Sequence, residues 1–315
     1  MNKTRVVTII CWTISALALT GLVIWLLIGS LFNFGPLWNF GVGTFEPVGT
    51  HSVSAEDMDS LYIDWTSGAV SIATHEGNEI QITEFAQRSL RTGEHLSLDT
   101  EGGTLTIHFA ERIRLTGNMP AKQLEVLIPH ALSENFASFY VNTVSGRIEA
   151  RNIQADVFAT STTSGRIELR NITAQDLEAT TVSGRIELFT TEAEQIQLRT
   201  VSGRIGTTNT QAQTLHAQTT SGRVELSGSF HDVSARSSSG RIDITSHLVP
   251  ERLAAHTSSG RIEVTVPNEG PVHVQHSTGS GRFSSAVPVI THGDEDAQFH
   301  LSTGSGRISI YELVR

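Results

Sequence analysis

From Phe139 to the C-terminus, apolar and polar residues alternate with a period of two, the pattern of half-buried strands whose side chains point to opposite faces in turn. The alternation is broken nine times by Ser-Gly-Arg, with glycines at Gly146, Gly165, Gly184, Gly203, Gly222, Gly240, Gly260, Gly281 and Gly306. Successive glycines lie 19, 19, 19, 19, 18, 20, 21 and 25 residues apart. A fixed period in this range marks a repeat architecture, in which one supersecondary unit stacks on the next. Aligned on the arginine, the repeats share apolar columns. Eight residues before it stand Phe139, Phe158, Leu177, Ile196, Leu215, Val233, Leu253, Val274 and Phe299. One residue after it stand Ile148, Ile167, Ile186, Ile205, Val224, Ile242, Ile262, Phe283 and Ile308. Four residues before it the entry is Thr throughout, except at Ser237.

Each repeat therefore predicts two short strands joined by a corner at Ser-Gly, with a second turn before the next repeat. The glycine serves the corner either by its backbone freedom or by letting neighbouring coils approach closely. Coils stacked about 4.8 Å apart turn equivalent residues into ladders. The expected fold class is all-β, a single-stack parallel β-solenoid with about 19 residues per coil. Parallel crossovers are nearly always right-handed, so a right-handed coil is expected.

Upstream the pattern changes. Lys3 and Arg5 precede an uncharged run whose apolar part, 6–32, is long enough to cross a ~30 Å hydrocarbon core as a helix. A cleavable signal peptide has a shorter apolar stretch, so a signal anchor is expected. The basic residues precede the span, which puts residues 1–5 in the cytoplasm and everything after the span outside the cell membrane. Residues 33–55, with Phe34, Trp38 and Phe40, read as an aromatic juxtamembrane linker. Residues 56–138 read as irregular coils that cap the regular solenoid at 139–315. Leu61, Ile63, Trp65, Ser67-Gly68, Val70 and Ile72 match the repeat template, with Ala69 in the place of the arginine. Leu96, Leu98, Thr100, Gly102-Gly103, Leu105 and Ile107 match it again, with Thr104 in that place. Little sequence follows the coil ending at Tyr311, so self-association is expected there, through an open edge of the C-terminal coil.

Charge adds a second ladder. Arg147, Arg166, Arg185, Arg204, Arg223, Arg241, Arg261, Arg282 and Arg307 would stack as like charges that repel by about 1 kcal/mol per neighbouring pair in water. Two residues on, facing the same side, stand Glu149, Glu168, Glu187, Glu225, Asp243 and Glu263, which would offset that repulsion within and between coils. Gly206, Ser284 and Ser309 replace the acid in the other three repeats, leaving Arg204, Arg282 and Arg307 as a candidate anion-binding patch. A net charge of −10 argues against nucleic-acid partners. The single Cys11 excludes an intrachain disulfide and a cysteine-ligated metal site. No cofactor is expected. The thirteen histidines show no compact metal spacing, and the acidic segment 292–296 reads as a solvated insertion. No serine has a paired general base, and the acids form a regular column rather than converging on a groove, so no catalytic residue is expected.

The apolar leader, the Leu-Glu-Val-Leu-Ile-Pro strand at 124–129 and the Thr-x-Ser-Gly-x-Ile repeats together resemble a bacterial family of membrane-anchored "putative adhesin" proteins with a toastrack-like β-solenoid. In that family the residue after Ser-Gly is often acidic or small; here it is Arg throughout. The resemblance implies an extracytoplasmic surface or envelope-stress scaffold without catalytic residues. The partners it leaves open are cell-wall polymer, anionic lipid or an envelope protein. The alternatives are a self-assembling structural solenoid and, less favoured, a carbohydrate-active β-helix enzyme.

Overall fold

A computed structural model describes residues 44–110, 120–134, 136–291 and 298–314. The expected membrane helix at 6–32 and the acidic segment 292–296 lie outside the described residues. Among the described residues no helix is long and apolar enough to cross a membrane. Apart from one helical turn, His130–Ser133, the regular structure among the described residues is strand.

The alternating pattern folds as it reads. In the strand Ile148–Ser164, Ile148, Ala150, Ile153, Ala155, Phe158, Thr160 and Thr162 are buried, and most residues between them face outward. Successive coils pair in parallel and in register. Ile148 lies beside Ile167, followed by Ile186, Ile205, Val224, Ile242 and Ile262. The column before the corner runs Phe139, Phe158, Leu177, Ile196, Leu215, Val233 and Leu253. Phe139 and Phe158 stack with ring centroids 4.9 Å apart. Both columns belong to one continuous hydrophobic core.

The coil has one corner more than the two expected. The pairing ladder skips Asn152 and Asn171, and skips again at Asp156 and Gln175. The first of these corners uses the left-handed region: φ is 59° at Asn152, 53° at Asn171, 50° at Thr190 and 52° at Asn209. Asparagine tolerates this conformation, and Asn171 Nδ2 donates to Asn152 Oδ1 at 2.9 Å, so the corner carries its own ladder. Thr190, β-branched, holds the same conformation against its preference.

At the Ser-Gly corner the choice between backbone freedom and close approach is settled. None of the eight corner glycines from Gly146 to Gly281 has a positive φ. A Cβ at Gly203 would instead lie 1.7 Å from the carbonyl oxygen of Gly184, and one at Gly184 would lie 1.8 Å from that of Gly165. Each glycine thus rests directly on the backbone of its neighbour. The threonine three residues earlier completes the corner: the hydroxyls of Thr200 and Thr219 donate to Gly184 and Gly203 oxygens at 3.3 Å, and that of Thr257 to Gly240 oxygen at 3.0 Å.

The ends are not stacked in chain order. The strand Phe299–Ser305 pairs with Arg252–Ser259 on one side and with Val272–Ser280 on the other. The strand Ile308–Glu312 likewise lies between Ile262–Val266 and Phe283–Ser285. The C-terminal coil is therefore internal, and the coil at 272–291 is the outer one. This corrects the expectation of an open edge on the C-terminal coil: its backbone groups are taken up on both sides. The first end is arranged in the same way. The coil at 60–75 sits between the coil at 136–150 and the strands Thr104–His108 and Lys122–Pro129.

The match at residues 96–107 is corrected too. Ser97–Glu101 and Thr104–His108 form an antiparallel hairpin, and Gly102 and Gly103, with φ of 57° and 80°, make its two-residue turn. Only its second strand joins the parallel stack. Beyond Lys122–Pro129 the antiparallel strands Glu79–Ala86 and Glu46–Ser54 continue the sheet.

A buried charge holds this cap together. Lys122 and Glu84 have fully buried side chains, and Lys122 Nζ lies 2.6 Å from Glu84 Oε1. The ammonium also donates to the carbonyl oxygens of Glu94, at 2.7 Å, and Phe109. It sits 4.0 Å from the ring centroid of Phe109 and 5.0 Å from that of Trp65. Burial lowers the pKa of Lys122, against the opposing pull of Glu84.

Two mutational outcomes follow from these contacts. Gly203→Ala is expected to lower stability by about 3 kcal/mol, because the methyl group overlaps a backbone oxygen that cannot move alone. Gly206→Ala, whose Cβ would meet nothing nearer than 3.9 Å, should change it by less than about 1 kcal/mol. Urea unfolding of the two variants compares them directly. Lys122→Met strands a buried carboxylate and should lower stability by about 3–5 kcal/mol, with much of the loss recovered in the Glu84→Gln/Lys122→Met double variant.

Candidate functional site: the arginine–acid ladder

After each corner the arginine and the residue two positions on share the outer face of a strand, and stacking sets the next coil's pair beside them. Arg147 Nη2 lies 2.5 Å from Glu149 and 3.2 Å from Glu168 in the next coil. Arg166 repeats this with Glu168, at 2.9 Å, and Glu187. Arg185 pairs with Glu187 at 3.4 Å and Arg223 with Glu225 at 2.8 Å. Arg241 reaches both Asp243 and Glu263, at 2.5 and 2.6 Å, and Arg261 meets Glu263 at 3.1 Å. The ladder thus links coils diagonally as well as within each turn.

Glu168 is its most enclosed acid. Only 6% of its side chain is exposed, and it gathers Arg147, Arg166 and Arg170. Burial works against its ionisation, but the hydrogen bonds from Arg170 and Arg147 and the nearby Arg166 outweigh it and hold Glu168 below the ordinary carboxylate value. Asp243 goes the other way: burial pushes its pKa up, helped by Glu263 and Glu225, despite the bond from Arg241. Arg170, outside the repeat column and missed by the sequence reading, lies 4.0 Å above the ring of Phe189.

The candidate anion patch divides. Arg204, expected to lack an acid because Gly206 stands two residues on, is paired with Glu225 of the following coil. Diagonal reach across the stack supplies what its own strand does not, and Arg204 leaves the patch. Its neighbourhood is a shallow groove of about 280 Å³ over Gly206. Arg282 and Arg307 behave differently. The backbone bonds Ile262 N to Arg307 O and Ile308 N to Arg282 O, each 2.9 Å, order the rungs as Arg261, Arg307, Arg282. The acid column beside them reads Glu263, Ser309, Ser284. Among the described residues neither Arg282 nor Arg307 makes an ion pair. Among the described residues, too, no group of three His, Cys, Asp or Glu side chains is placed to hold a metal ion.

The fold has counterparts among known proteins. The chain belongs to the Toastrack DUF4097 family, whose model matches residues 58–311. The toastrack fold is shared with two solved "putative adhesin" structures. One, from Parabacteroides distasonis ATCC 8503, is 12% identical with a TM-score of 0.54, over 85% of this chain and 98% of that one. The other, from Parabacteroides merdae ATCC 43184, is also 12% identical with a TM-score of 0.54, over 87% and 98%. At this identity the likeness concerns the toastrack fold alone. No curated protein matches the chain.

The ladder's contribution depends on pH. Glu168 is more acidic folded than unfolded, so the stability it brings is complete above the ordinary value of 4.5 and is lost as pH falls through its lower folded value. Glu168→Gln is expected to cost about 1 kcal/mol at pH 7. Its difference from the parent protein should shrink below pH 4.5, read from urea midpoints at neutral and acid pH.

Proposed function

We propose that this toastrack protein is a non-enzymatic surface scaffold, tethered by its apolar N-terminal segment with the solenoid on the outer side of the cell membrane. Its partners would be a cell-wall polymer, an anionic lipid or another envelope protein, met through adhesion or during envelope stress. The observation that supports the reading is the ladder itself. The acids that a sugar-cleaving site would need as a converging pair are spent one per coil on arginines, with Glu149, Glu168, Glu187, Glu225, Asp243 and Glu263 all so engaged. A face that repeats about every 4.8 Å suits contact with an extended partner better than it suits a single reaction centre. The names of the two similar structures point the same way.

The test is topological. In intact cells producing the full chain with a different tag at each end, an external protease should remove the C-terminal tag and spare the N-terminal one until lysis. Protection of the C-terminal tag in intact cells would defeat the reading.

A further inference from the structure

The acid column runs out where the chain folds its last coil inward, and four further features coincide there. First, three arginines in successive rungs, Arg261, Arg307 and Arg282, face a single acid, Glu263, which already serves Arg241. Second, Arg307 and Arg282 are both exposed. Third, the places of the missing acids hold hydroxyls: Ser284 Oγ lies 3.1 Å from Ser309 Oγ. Fourth, the position three residues before the arginine is bare in these two coils. It is Gly279 and Gly304 here, where other coils carry exposed side chains such as Val144, 51% exposed, and Val201, 46% exposed. The Cβ of any replacement would lie 2.4 Å from Gly304 oxygen at the first position and 2.5 Å from Ser258 oxygen at the second. The motif Thr-Gly-Ser-Gly-Arg thus occurs twice, at 278–282 and 303–307, and stacking lays one copy beside the other.

We propose that this corner is a phosphate-binding site, with Arg282 and Arg307 as the binding residues. Two guanidinium groups one rung apart, about 4.8 Å, can each turn a pair of N–H donors toward different oxygens of one phosphate group. The ligand neutralises a like-charge pair of the kind that every earlier rung neutralises with a carboxylate of its own coil or the next. Exposed Ser284 offers a hydroxyl donor on the same face, held by the buried Ser309 beneath it, and the bare glycines keep the approach clear. Only stacking brings the two motifs together, since the chain places them 25 residues apart. The inference goes beyond the scaffold reading and does not rest on which side of the membrane the solenoid lies.

The experiment uses the full chain in neutral detergent, titrated with inorganic phosphate and, separately, with mixed micelles containing phosphatidylglycerol. Binding is followed calorimetrically at low and at high salt. Arg282→Gln/Arg307→Gln is expected to weaken binding by at least about tenfold, the loss of one charge-assisted bond or more. Ser284→Glu, at an exposed place in the acid column, would serve Arg307 and Arg282 as Glu263 serves Arg241 and Arg261. It should abolish binding without lowering the unfolding temperature, so lost binding cannot be ascribed to a damaged fold. Arg223→Gln, in a paired rung, should leave binding unchanged. A response to free phosphate marks a soluble anion as sufficient, and a response to the lipid micelles alone assigns the headgroup as the source. No response to either, or equal binding by the parent, Arg282→Gln/Arg307→Gln and Ser284→Glu, overturns the proposal.

Discussion

The solenoid depends on backbone meeting backbone at one corner. A line of residues, Lys122, Gly68, Gly146, Gly165, Gly184, Gly203, Gly222, Gly240, Gly260, Gly306 and Gly281, runs along the stack, each successive glycine pressed on the carbonyl of the one before. A Cβ anywhere along it would lie between 1.6 and 2.1 Å from that oxygen. Coils can reach the parallel hydrogen-bonding distance at this corner only if the side chain is missing. Every in-register column, apolar or charged, inherits its alignment from that contact. Lys122 can begin the line because its own outer side faces the cap rather than another glycine corner.

Register then decides the electrostatics. Stacking arginines in a column is unfavourable alone, but the same stacking brings each arginine within reach of acids from two coils. Partly exposed pairs of this kind contribute little individually. Their value lies in cancelling a repulsion that the register imposes. Where the acid is absent once, at Gly206, the neighbouring coil compensates through Glu225. Where it is absent in two adjacent rungs, neither Arg307 nor Arg282 makes an ion pair among the described residues.

Both ends of the stack use the same device against fraying. The coil at 60–75 and the last coil of the chain both lie inside the stack, each covered by a segment that lies nearer the middle of the sequence. At the first end the cover is sealed by antiparallel strands and the buried Lys122–Glu84 pair. A strand held on both sides cannot peel away without breaking two ladders.

Much of this was legible in the residues themselves. Period-two alternation and the spacing of Ser-Gly-Arg determine strands, coil length, parallel register and the two facing charge columns, because a local repeat is repeated identically in space. The left-handed corner is carried by Asn152, Asn171 and Asn209, a column that Thr190 interrupts. What the tertiary structure alone decided is non-local. The inward folding of the end coils, the pairing of Arg204 with Glu225, the buried lysine and the meeting of Arg307 with Arg282 all join segments whose order in the stack differs from, or reaches across, their order in the chain. Periodicity specifies what each coil presents to its neighbour. Which coil that neighbour is, at the ends, is set by how the backbone edges are covered.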